Sequence, residues 1–174
     1  GYDTGNRSVY LSGNGLSNLD KRNLSAIVLV VVAVILTWAG GFGFGLLASA
    51  IAFGVMFEWQ LMSKGRMSGL TGGLSWVVLI ATLLALLFTQ HVLSMFLILF
   101  VGAAVVAMLG GRQSGYWPAA GLVYAGFPAI SLTLLRGDTG DGFAAILFLF
   151  AVVWATDIFA YFNGKALGGP KLAP

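Results

Sequence analysis

The sequence predicts an all-α integral membrane protein with about six transmembrane helices, and three observations lead there. Of its 174 residues, 59% are hydrophobic and only 9% are charged, whereas soluble domains carry about 25% charged residues. Mean hydropathy is +0.94, so the chain lacks the polar surface needed to cover itself in water. The apolar residues also fall into runs close to the roughly 17–25 residues that cross a bilayer as a helix. These runs show no strand-like alternation, and in hydrocarbon a helix satisfies its own backbone groups.

Residues 1–23 are polar and rich in Gly, Ser and Asn, which predicts a flexible cytoplasmic tail. The transmembrane domain then occupies 24–174, with spans at roughly 24–40, 42–62, 74–90, 91–109, 117–135 and 143–163. The first is the shortest. Gly40-Gly41 and Gln90-His91 form tight connections, and GFGFG at 41–45 reads as a turn between spans, since no strand–helix unit surrounds it to make a nucleotide loop. Thr156, Ala160, Gly164 and Gly168 recur every four residues, a stripe suited to close helix packing. The chain opens on Gly1 rather than Met, as a fragment would.

Basic residues orient the bundle. With both termini cytoplasmic, the cytoplasmic segments hold Arg7, Lys21, Arg22, Lys64, Arg66, Arg112, Lys165 and Lys171, and only Arg136 of the nine lies outside. The same placement explains the net charge of +3 without a nucleic-acid partner. The absence of cysteine excludes disulfides and thiolate metal sites.

Two acids fall within apolar segments, Glu58 and Asp157. A carboxylate in hydrocarbon is costly and usually faces a cavity or a partner. Glu58 has two readings: an interfacial carboxylate beside Trp59, paired with Lys64 or Arg66, or a weak metal ligand. Asp157 is flanked by VVWAT and IFAYF, with no basic residue on its own helix before Lys165. Asp157, Tyr161 and Lys165 share one helical face, where acid, phenol and ammonium can hold a metal and phosphates; a buried structural pair is the plainer reading. Mg²⁺ suits carboxylate and phosphate oxygens. In NGKALGGPKLAP, glycines allow close backbone approach and Lys165 and Lys171 can pair with phosphate, although the P-loop spacing is not met. His91, the single histidine, sits at an outer connection, so neither a histidine metal cluster nor a Ser–His–Asp set is available. Asp141-Gly142 starts like the motif of enzymes that move CMP-linked lipid groups onto alcohols, but Ile146 replaces the expected Arg.

WATDIFAYFNGKALGGPKLAP, residues 154–174, strongly resembles the middle of bacterial phosphatidate cytidylyltransferases, the CDP-diacylglycerol synthases. Their W-[AG]-[AT]-D-x-x-A-Y-F-x-G-[KR]-x-x-G-x-x-K-L-A-P pattern is matched by Trp154, Asp157, Ala160, Tyr161, Phe162, Gly164, Lys165, Gly168 and Lys171 through Pro174. Weaker likeness covers KRNLSAIVLV, the GGFGF turn, FEWQLM and WPAAGLVYAGFPAISL. Phe159 stands where many members have Gly. The family continues with Arg-x-Ser-Pro-x-Lys-Thr-Trp and a later His-Gly-Gly with paired aspartates, so the expectation is an N-terminal portion, inactive alone.

The resemblance implies transfer of CMP from CTP to phosphatidate at the bacterial inner membrane, with Mg²⁺ as cofactor. It implies that Asp157, Lys165 and Lys171 are catalytic, with Asp157 binding the metal or orienting its ligands and the lysines neutralising phosphates. Tyr161, Asn163, Gly164 and Gly168 are then substrate-binding. It leaves a homodimer open. The rival reading is a transporter or channel with Asp157 as its ion or proton site.

Overall fold

The computed structural model describes residues 18–63, 69–89, 91–114 and 116–167, without the side chains of 18–23, 111–114 and 167. Residues 1–17 of the expected flexible tail, as well as Lys64, Arg66, Gly168 and Lys171, lie outside the described residues, while 18–23 of that tail are helical and open α1. All six elements are helices: α1 Asn18–Ala39, α2 Gly41–Met62, α3 Leu70–Phe88, α4 Val92–Ser114, α5 Trp117–Arg136 and α6 Gly140–Leu167. No strand occurs among the described residues, so the predicted all-α class holds. Five helices, α2 to α6, are long and apolar enough to span a membrane, while the apolar part of α1, Leu24–Ala39, is shorter.

The chain divides within α1. Residues up to Val34 form one unit and Ile35–Pro174 the other. In the first unit, Leu24 to Val32 are exposed along an apolar helix.

The second unit is built around α5, which packs against α2, α3, α4 and α6. Its core joins Ala48, Ala52 and Met56 of α2, Leu79 and Leu83 of α3, Leu99 and Val106 of α4, and Leu122, Ala125 and Ile130 of α5. Hydrocarbon offers no hydrophobic drive for helices to associate, so packing relies on small residues that let backbones approach. Gly126 of α5 lies against Leu99 of α4, where an added Cβ would stand 2.6 Å from Leu99 Cδ1. Gly121 lies flat under the Trp59 indole, leaving no room for a side chain.

The boundaries refine the expectations. The α1–α2 turn is at Gly40 and Gly41, whose φ values of 65° and 43° are left-handed and therefore suit glycine. The remainder of GFGFG is already the first turn of α2, not a turn between spans. At the other end of the chain, α6 runs through Leu167, so NGKA, read as the start of a Gly-Lys tail, is helical. Its 28 residues make a helix about 42 Å long, against a hydrocarbon core of about 30 Å.

Candidate active site

The motif lies on the second half of α6, and the first half positions it. Thr139 caps α6, its Oγ1 accepting from the Gly142 amide at 3.1 Å, which satisfies one of the free N–H groups of the first turn. Gly142 then passes directly over the Arg136 carbonyl, with no space for a Cβ. Ile146 is fully buried. Beyond this anchored base, residues 151–166 are exposed.

Asp157, Tyr161 and Lys165 lie on one uninterrupted helix, as the spacing predicted. Four-residue steps raise each by about 6 Å, so Asp157 and Lys165 are about 12 Å apart along the axis. That separation excludes a direct ion pair and leaves a stripe along which an elongated, multiply charged ligand could lie. Asn163 and Gly164 sit in the same last turns, and nothing lies within 4 Å of a Cβ added at Gly164. Thr156 donates to the Val152 and Val153 carbonyls of its own helix, at 2.5 and 2.9 Å. The small-residue stripe Thr156, Ala160 and Gly164 is therefore not engaged in packing among the described residues. Close approach on α6 occurs at Gly142 instead, and elsewhere at Gly102 of α4 and at Gly121 and Gly126 of α5.

Glu58 is exposed near the end of α2. Its neighbour Trp59 is fixed. The indole donates to the Trp117 carbonyl at 3.1 Å, stacks on the Trp117 ring with centroids 4.8 Å apart, and meets Tyr124 at 5.4 Å. At the next residue, Gln60 Oε1 accepts from the Trp76 indole at 2.8 Å. The C-terminal end of α2 thus meets the N-terminal end of α5. α6 follows α5 through a short turn and packs its first turns against the end of α5, Gly142 meeting the carbonyls of Leu135 and Arg136. Among the described residues no three acids or histidines gather into a metal-holding group.

Sequence reading gave Arg136 no role beyond a charge at the connection after α5. It is the last residue of α5 and is buried, with 6% of its surface exposed. Its Nε donates to the Thr37 carbonyl at 2.6 Å and Nη2 to the Trp38 carbonyl at 3.0 Å. Nη1 donates to the Gly137 and Thr139 carbonyls, at 3.1 and 3.3 Å, and the guanidinium lies 5.4 Å from the Phe143 ring centroid. One side chain therefore binds the C-terminal end of α1, the end of α5 and the base of α6. The signal in the sequence was an Arg-Gly-Asp at the end of an apolar run, facing a Gly-Gly turn.

Comparison with known proteins shows the family. The chain is 48% identical over 159 residues to phosphatidate cytidylyltransferases of Brucella abortus and Brucella suis, covering 91% of this chain and 59% of theirs. A phosphatidate cytidylyltransferase of Rickettsia bellii is 41% identical over 54 residues, 31% of this chain and 23% of its own. No solved structure matches. The chain thus spans about three-fifths of the length of its Brucella relatives. A family model described as the cytidylyltransferase family matches residues 20–174, and the chain belongs to that family.

Proposed function

We propose that this chain carries part of the active site of a phosphatidate cytidylyltransferase, which converts CTP and phosphatidate to CDP-diacylglycerol and pyrophosphate. The observation that carries the proposal is the Asp157–Tyr161–Lys165 stripe on one continuous helix, in a chain whose relatives bear that name. A phosphate oxygen of phosphatidate attacks the α-phosphorus of CTP, forming a new P–O bond. The bond from that phosphorus to the β-phosphate oxygen breaks, and pyrophosphate leaves with its electron pair. Attacker and leaving group are both anions, so the protein's task is positioning and neutralisation of charge.

Lys165, in the last turn of α6, supplies a point charge for phosphate, and Lys171 is assigned the same role. Tyr161 donates a hydrogen bond from between Asp157 and Lys165, and Asn163 adds a polar contact. Gly164, whose surroundings are open, admits a ligand close to the helix backbone, and Gly168 is given the same part. Mg²⁺ usually takes one or two carboxylates and completes its shell with water and substrate phosphates. Asp157, an exposed carboxylate on the stripe, fits as one such ligand, with Glu58 a more distant candidate. The cation would supply charge neutralisation at the reacting phosphates.

The orientation that suits this chemistry puts both termini and the motif on the cytoplasmic side of a bacterial inner membrane, as the basic residues suggest. Against the transporter reading stands the placement of charge. In the described parts of α2, α3 and α5, the ionisable side chains of Asp, Glu, Lys and Arg are Glu58 and Arg136, one toward each end of the bundle.

The test is incorporation of labelled CTP into extractable lipid by the complete gene product. Asp157→Asn is expected to lower turnover at least about a hundredfold, with thermal stability unchanged. A folded Asp157→Asn protein with wild-type turnover refutes the assignment.

A further inference from the structure

At the end of the bundle opposite Glu58, a cavity of about 270 Å³ opens between α2, α3 and α5. Phe42, Phe44, Leu86 and Leu87 give it apolar walls, while Arg136 and Asp138 give it one cationic and one anionic side chain. All four carbonyls that Arg136 serves are neutral, so no carboxylate neutralises the guanidinium through a hydrogen bond. A guanidinium has five N–H donors. Nε uses one, Nη1 two and Nη2 one, which leaves a second Nη2 N–H over. A buried charge is costly unless paired. Asp138, though it lines the same cavity, sits at the start of α2, its Oδ1 3.4 Å from where a Gly41 Cβ would be. A site with a cation, a separate carboxylate and apolar walls, in a bundle whose helices can span a bilayer, matches one class of ligand.

We propose that this cavity binds the head group of a zwitterionic phospholipid, its phosphate on Arg136, its amine on Asp138 and its glycerol end against Phe42 and Leu87. The site is separate from the Asp157 stripe and does not depend on the proposed reaction.

Native mass spectrometry of the detergent-solubilised, delipidated protein tests it, with phosphatidylethanolamine, phosphatidylglycerol, diacylglycerol and inorganic phosphate as probes. Wild type is expected to retain a phosphatidylethanolamine about tenfold more strongly than phosphatidylglycerol, the scale of one charge-assisted contact, and to release diacylglycerol. Asp138→Asn should abolish the preference between the two phospholipids. Leu87→Trp, which fills the cavity, should remove the retained lipid. Equal retention of diacylglycerol, equal retention of the two phospholipids by wild type, or unchanged occupancy in folded Leu87→Trp would each overturn the proposal. Displacement of the lipid by inorganic phosphate at matched concentration would reassign the site to free phosphate and overturn the head-group assignment. If Leu87→Trp does not fold, the Asp138→Asn comparison decides alone, because that side chain is exposed.

Discussion

Replacing Arg136 with Met removes four hydrogen bonds at once but keeps most of the aliphatic volume. Charge-assisted bonds contribute about 1.5–3 kcal/mol each, and the lower figure suits a set that includes a 3.3 Å contact. Four bonds at about 1.5 kcal/mol lose about 6 kcal/mol, while releasing a buried cation from its desolvation cost returns several, taken as about 3. The expected net destabilisation of Arg136→Met is therefore about 3 kcal/mol. Arg136→Lys keeps the charge. A single ammonium cannot reach both the Thr37 and Thr139 carbonyls, so it should recover about half of that loss. The assay is reversible unfolding in mixed dodecylmaltoside and SDS micelles, followed by circular dichroism. Arg136→Met within about 0.5 kcal/mol of wild type, or Arg136→Lys equal to wild type, would refute the view that the planar fork holds the end of the bundle together.

Three further outcomes follow from glycine positions. Gly126→Ala drives a Cβ against Leu99 and should cost about 1–3 kcal/mol in the same titration; the double variant with Leu99→Ala should recover part of it. Gly164→Ala meets open space, so helix propensity should raise stability by up to about 1 kcal/mol, whereas CTP turnover should fall if a ligand approaches the backbone there. A Gly164→Ala protein with unchanged KM for CTP removes that residue from the substrate site. Gly142→Ala collides with the Arg136 carbonyl and should displace the base of α6. Its turnover should drop more than its melting temperature predicts, measured against Gly126→Ala as a control of similar stability.

Much of the fold was legible because bilayer physics leaves few choices. Apolar runs of spanning length must be helices, and the expected spans for α2 to α6 fall inside or within a few residues of the observed ones. What hydropathy could not supply was the role of a charge at a span's end. Arg136 looked like a loop residue because its burial depends on carbonyls of residues 98 and 99 positions away, a partnership invisible to local pattern. The face shared by Asp157 and Lys165 required the helix to pass Gly164, and it does run on to Leu167, since an isolated glycine costs a helix only about 1 kcal/mol. The linear order of Asp157, Tyr161 and Lys165 was readable, since helical periodicity alone puts them on one face. Packing around Trp59 was not, because Gly121 accepts its indole from another helix.

Position and chemistry are divided along α6. Its first turns are fixed by the Thr139 cap and the Gly142 contact, both of which touch Arg136, and by buried Ile146. Its last turns carry the polar motif and few packing contacts among the described residues. From Gly142 to Asp157 is fifteen residues, about 23 Å of helix. A helix transmits the orientation of its base along that distance, and each residue of axial slip rotates the face by about 100°. The register at Gly142 therefore sets the direction in which Asp157, Tyr161 and Lys165 face about the α6 axis. Residues with no chemistry of their own, at the base of α6, thereby set the geometry of the charged stripe.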